Sequence, residues 1–230
     1  MLLFIMVACA PSEQELYDAG IIELRKGEFK TAIENFDRIL EENPNHFDAL
    51  NARGVAYFEL QKWDDAIVNF KAAMKQDSVS YKPYLNLGNA YLEKEEFKDA
   101  VVNYNMASAL DLNQTDIYYN RGLALLGMEE YEDALLDFDN ALRVDPNQAL
   151  VHFNRGKALV GNNDPLEAIN ALHRSVSLDD TNGAAFYLLG ITEMSALNKV
   201  DEGCAHLQQA LQLGYNEAQE WIDEFCSSDS

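Results

Sequence analysis

Chemistry in this 230-residue chain would have to come from four histidines (His46, His152, His173 and His206), three cysteines (Cys9, Cys204 and Cys226) and a large surplus of carboxylates. No pair of histidines has the spacing of a helical metal motif, and no Cys-x-x-Cys occurs. The glycines are spread along the chain instead of gathering into a phosphate-cradling loop. The acidic pairs Asp64-Asp65, Glu95-Glu96, Glu129-Glu130 and Asp179-Asp180 fall at turns or helix starts, where negative charge complements the helix dipole. A catalytic dyad would need the inward burial that shifts a carboxyl pKa. The reading is therefore no enzyme, no catalytic residue, no metal and no cofactor.

Charge narrows the partners. Lys and Arg number 17 against 39 Asp and Glu, a formal net charge of -22. A phosphate backbone would be repelled, which argues against nucleic acid, and the body of the protein is disfavoured against anionic lipid. An acidic field can steer in a basic partner, or simply keep an extended helical array soluble.

The glycines show how such residues would be positioned. Gly20, Gly54, Gly88, Gly122, Gly156 and Gly190 are each 34 residues apart. The same period runs through Ala32, Ala66, Ala100, Ala134 and Ala168, then Phe36, Phe70, Tyr104, Phe138 and Leu172, then Ile39, Ala73, Ala107, Ala141 and Ser175. Offsets of four and seven share one helix face. A mid-helix Gly costs about 1 kcal/mol against Ala, so repeated use at one spacing implies a steric need for no side chain where two helices approach.

These series resemble the tetratricopeptide repeat (TPR). The resemblance implies an all-α, right-handed α-solenoid of six helix-turn-helix hairpins with a C-terminal capping helix. With each Gly as position 8, the hairpins run 13–46, 47–80, 81–114, 115–148, 149–182 and 183–215. Tyr57 and Tyr91 match the aromatic at position 11, and Pro44 and Pro146 the closing proline. In the fifth turn Asp164 suits a cap and Pro165 a first helical turn. The sixth hairpin has one extra residue near Asn198-Lys199, and Gly203, Leu207 and Ala210 take its second-helix roles. Residues 216–230 form the cap and tail, with Asn216 to Cys226 read as an amphipathic helix that covers the last hairpin.

In this family the first helices line a concave groove, through positions 2, 5, 6, 9, 12 and 13. Carried over, position 5 offers Asn51, Tyr119, Phe153 and Tyr187, position 6 offers Asn86, Asn120 and Asn154, and position 9 offers Asn89 and Lys157. Primary amides donate and accept at once, as an extended peptide backbone requires. The same amides are also frequent packing residues in the family. Arg53, Arg121 and Arg155 at position 7 can reach partner carboxylates or fix neighbouring acidic side chains, and the acidic surplus favours the second role. Position 5 has no Lys and Lys82 stands alone at position 2, so the family's binding of chaperone C-terminal carboxylates is not expected.

Leu2 to Ala8 are all apolar, too few to span a bilayer, and fit the core of an export signal. Met6-Val7-Ala8-Cys9 resembles a bacterial lipobox, with Met6 in place of the usual Leu. The resemblance implies a signal segment 1–8, a lipidated Cys9 and a tether over 9–15, with each acyl methylene contributing about 0.8 kcal/mol of anchoring. With Cys9 assigned to lipid, Cys204 and Cys226 remain, ten residues before and twelve after Gly214. In an antiparallel hairpin they come close to level, so a disulfide is expected. The alternative is two buried thiols. The resulting expectation is an interaction scaffold of the bacterial envelope, lipid-anchored at the outer-membrane or periplasmic face and holding a protein or extended peptide. The alternatives are a self-associating component of a pilus, secretin or outer-membrane assembly, including a homodimer through the first hairpin, or a cytosolic adaptor if the lipobox goes unused.

Overall fold

A computed structural model of the chain describes residues 11–226. The expected signal segment and Cys9 lie outside the described residues. Among those residues there are thirteen helices and no strand. They divide into two compact units at Leu110 and Asp111. Unit 1 holds three antiparallel pairs: α1 (Glu13–Lys26) with α2 (Phe29–Glu42), α3 (Phe47–Glu59) with α4 (Trp63–Gln76), and α5 (Tyr81–Glu93) with α6 (Phe97–Leu110). Unit 2 holds α7 (Thr115–Gly127) with α8 (Tyr131–Val144), α9 (Ala149–Gly161) with α10 (Pro165–Leu178), α11 (Gly183–Leu197) with α12 (Val200–Gln212), and then α13 (Ala218–Phe225). Within each unit successive pairs stack, as α2 on α3 and α8 on α9. The architecture is an all-α array of six tetratricopeptide-type hairpins followed by a capping helix.

The periodic glycines have the steric cause expected of them. A Cβ added to Gly20 would lie 2.5 Å from the ring of Phe36, and one on Gly54 2.5 Å from Phe70. Gly88 faces Tyr104 in the same way, and Gly122 faces Phe138 at 2.7 Å. These rings are fully buried. At Gly156 the neighbour is Leu172, and at Gly190 it is the backbone of a second glycine, Gly203, with Leu207. The period thus preserves a vacancy, while what fills it changes along the chain.

The turns carry a second period. Gly27, Gln61, Glu95, Glu129 and Asn163 all have positive φ, between 57° and 79°, and stand 34 residues apart. Each lies in the left-handed region that lets the chain reverse into the second helix. The sixth left-handed residue is Asn198, one position late. The extra residue lengthens α11, whose end is closed by a wider bond from the Lys199 amide to the Glu193 carbonyl. Ser12 and Glu15 form a capping box on α1, His46 accepts from the Ala49 amide at α3, and Asp164 caps α10 with Pro165 at its first turn.

The last helix is shorter than Asn216–Cys226. It begins at Ala218, because a turn bond from the Ala218 amide to the Tyr215 carbonyl precedes it. Ala218, Trp221 and Ile222 pack onto Met194, Leu207 and Ala210, whereas Phe225 remains 46 % exposed. A disulfide joins Cys204 on α12 to Cys226 at the end of α13.

Candidate functional site

In unit 1 the groove positions meet through a hydrogen bond. The Asn86 amide on α5 donates to Asn51 Oδ1 on α3 at 3.1 Å. Both residues are half-buried, so each amide keeps part of its valence toward solvent. Asn89, one turn beyond Asn86, accepts from the Tyr104 hydroxyl at 2.9 Å. That bond explains why a Tyr replaces Phe under Gly88: its hydroxyl crosses the pair and orients a groove amide. Burial drives the Tyr104 pKa far upward, so the hydroxyl stays a donor.

In unit 2 the same register recurs with different chemistry. The Asn154 amide on α9 donates to the Tyr119 hydroxyl on α7 at 3.1 Å and to its own Leu150 carbonyl at 3.0 Å. Asn154 is only 7 % exposed, whereas Asn86 and Asn120 at the same register are half-buried. With both amide hydrogens spent and the side chain enclosed, Asn154 packs two hairpins together. Tyr119 is held by Phe138, and burial raises its pKa. Asn120 is half-buried beside it. Further along, the Lys157 ammonium lies 5.7 Å from the Phe153 ring centroid, one helical turn away. The Tyr187 ring on α11 packs at a tilt against Tyr215, with centroids 4.9 Å apart, just before α13.

The position-7 arginines bind acidic or amide neighbours, as expected. Arg53 bridges Asp37 of the preceding hairpin (2.5 Å) and Asn69 of its own (2.8 Å). Arg121 grips Asp137 through two bonds of 2.6 and 2.7 Å. Arg155 reaches back to Asp139 at 2.7 Å. Asp137 is 3 % exposed, and its burial pushes its pKa up despite the guanidinium. The same contact holds the Arg121 pKa above its ordinary value.

One constellation had no sequence signal. Glu193 on α11 is buried and sits between two imidazoles, His206 Nδ1 at 2.7 Å and His173 Nε2 at 3.2 Å. The three residues come from α10, α11 and α12, so no linear spacing announces them. Among the described residues no cluster is arranged to hold a metal ion, and no helix is long and apolar enough to cross a membrane.

Family comparison agrees with the geometry. Models described as "Tetratricopeptide repeat" match residues 17–79 and 115–148, and one described as "TPR repeat" matches 88–129. Among curated proteins, none matches. Solved structures do. PilF of Pseudomonas aeruginosa superposes with a TM-score of 0.79 at 22% identity, over 92% of this chain and 97% of that one. YrrB, described as a TPR protein with an unusual peptide-binding site, gives 0.68 at 22% identity, over 77% and 91%. A MamA protein gives 0.67 at 24% identity, over 75% and 94%. At these identities the likeness is one of fold.

Proposed function

We propose, from the premise that this chain is a tetratricopeptide repeat protein, that it is a non-enzymatic scaffold of the bacterial envelope which holds an extended segment of another protein on its first-helix faces. Proteins built from these repeats mediate protein–protein interaction. The observation that carries the finer reading is the half-buried amide pair Asn51–Asn86, flanked by the Tyr104-oriented Asn89. Its remaining donors and acceptors suit a peptide backbone. YrrB's description as a peptide-binding repeat protein supports the same use of the fold.

The envelope assignment draws on two features. The Cys204–Cys226 disulfide suits an oxidising compartment. The sequence before Ala10 has the lipobox-like run Met6-Val7-Ala8-Cys9, so we assign the anchor to Cys9. Intact mass of the membrane-extracted protein is expected to show loss of residues 1–8 and added acyl mass; an unprocessed chain overturns the anchor.

The binding face is tested with a photo-crosslinking residue at position 51 or 86, against one at Lys98 on the second-helix side. Discrete protein adducts from 51 and 86, and none from 98, are expected in cells. Adducts from 98 alone would move the working surface to the other face.

A further inference from the structure

We propose that the C-terminal end of unit 2 is a recognition site for a basic partner segment bearing one bulky apolar side chain, which enters a pocket against Trp221 while its Lys or Arg neighbours lie on α13. The inference rests on the scaffold reading above and adds the chemistry of the segment.

The apolar part comes first. α11 carries apolar residues all round (GAAFYLLGITEMSAL), so its outward face needs cover as well as its inward one. α13 supplies only part of that cover. What remains is a cavity of about 440 Å³ with Val160, Pro165, Ile191, Ala196 and Trp221 as its apolar lining and Asn163, Thr192 and Ser195 as its polar one. The two hydroxyls do not make it polar. Thr192 donates to the Leu188 carbonyl and Ser195 to the Ile191 carbonyl, each at 2.6 Å. With these hydrogens turned back into the helix, the wall shows methyl, methylene and indole surface with the Asn163 amide as its one other polar side chain, which suits an aliphatic or aromatic side chain.

Charge then selects the flanks. The same two helices line a second cavity of about 790 Å³, from Tyr187, one turn before Ile191 on α11, to Glu217 at the start of α13 and Glu220, Asp223 and Glu224 on it, Glu220 being the neighbour of Trp221 in sequence. The chain has no Lys or Arg after Lys199. Among the described residues no cation pairs with Glu217, Glu220 or Glu224. An aromatic-edged apolar pocket beside an uncompensated acidic face is complementary to a segment of the form basic–apolar–basic, and repels acidic ones. A second copy of this end is a poor occupant, since it would bring two acidic α13 faces together.

The test uses the disulfide-bonded protein from residue 10 onward with Trp63→Phe, which leaves Trp221 as the sole indole. The probe is a synthetic peptide with the core Lys-Arg-Phe-Lys-Lys. Binding is expected to shift Trp221 emission to the blue. Affinity is expected to fall about tenfold or more when the probe's Phe becomes Gly, as for removal of a buried anchor. It should fall comparably in the triple variant Glu217→Gln, Glu220→Gln, Glu224→Gln, and be lost in Ala196→Phe, which fills the mouth of the pocket without adding an indole. Ala196 is exposed, and circular dichroism confirms that each variant is folded. Equal binding of the Phe and Gly probes, binding that survives Ala196→Phe, or peptide-independent dimerisation through this end on sedimentation would each overturn the proposal. If it fails while crosslinks persist from positions 51 and 86, the scaffold reading stands and only the choice of segment is wrong; loss of those crosslinks with probe binding intact has the opposite meaning.

Discussion

The two units use one register link for two purposes. In unit 1 the residue 35 positions beyond Asn51 is Asn86, and two primary amides meet with one hydrogen bond. Asn86 Oδ1 and the Asn51 NH₂ remain to engage a backbone. In unit 2 the residue 35 beyond Tyr119 is Asn154, enclosed and with both hydrogens spent. Its link is structural, and in the proposed reading recognition there passes to rings and charges: Phe153 with Lys157, Tyr187, and Trp221 with the acidic α13. A repeat fixes where side chains meet, while local burial decides whether they face a neighbour or a partner. Each unit also contains one tryptophan, Trp63 in unit 1 and Trp221 in unit 2, so Trp63→Phe or Trp221→Phe allows the unfolding of each to be followed alone.

The largest expected effect separates arginines of equal register. Arg121→Ala strands the buried Asp137 carboxylate and should destabilise unit 2 by about 3–5 kcal/mol. Arg155→Ala exposes Asp139, already 54% accessible at its side chain, and should cost under about 1 kcal/mol. Denaturant midpoints followed through Trp221 compare the two; equal losses would mean that burial of the partner does not set the value of the pair.

The second effect belongs to the capping helix. Cys204 and Cys226 close a loop of 22 residues, and their bond should contribute about 3 kcal/mol to unit 2. Cys204→Ser with Cys226→Ser is expected to lower the Trp221-detected transition by that amount, leave the Trp63-detected one in place, and weaken the basic probe because α13 frays. An unchanged Trp221 transition would show that Ala218, Trp221 and Ile222 hold the cap without the bridge.

Third, the amide links themselves can be set against each other. Asn154→Ala removes the partner of a half-buried hydroxyl and opens a gap, and should cost about 1–3 kcal/mol. Asn86→Ala, with a solvent-accessible amide, should stay within about 0.5 kcal/mol yet reduce partner capture. The reverse order of stabilities would erase the distinction drawn between the units.

The hairpins were readable from sequence because a vacancy, a ring and a small residue must recur at fixed offsets for helices to pack. The left-handed turn position was not. Gln61, Glu95 and Glu129 are poor residues for positive φ, and only Gly27 and Asn163 announce it. The turn is imposed by the helices it joins, so residue type carries little of the signal. Candidate groove residues were located by register, but Asn154's burial depends on Tyr119 and on packing that register alone does not reveal. The Glu193–His173–His206 cluster and the pocket at Trp221 arise from three or more helices brought together, and α13 could be placed only as a cap.

The smallest effect is a pH dependence in unit 2. His152 on α9 packs beneath the Pro146 carbonyl, which accepts from Nε2 at 3.0 Å. Burial lowers its pKa, with Arg174 and Arg155 adding to the depression and the Pro146 bond opposing it. The unfolded chain, with a histidine pKa of about 6.5, therefore binds the proton more readily than the folded one. The group's contribution to stability is fully present above about pH 6.5 and is lost as pH falls through the depressed folded value. Thermal midpoints of wild type and His152→Asn, measured from pH 7.5 down to 5.5, isolate it from the many carboxylates common to both. The wild type should lose ground to the variant across that window in the Trp221-detected transition. A constant difference would mean that the imidazole is equally protonated in the folded and unfolded chain, and that solvent reaches it as freely as it reaches the exposed end of unit 2.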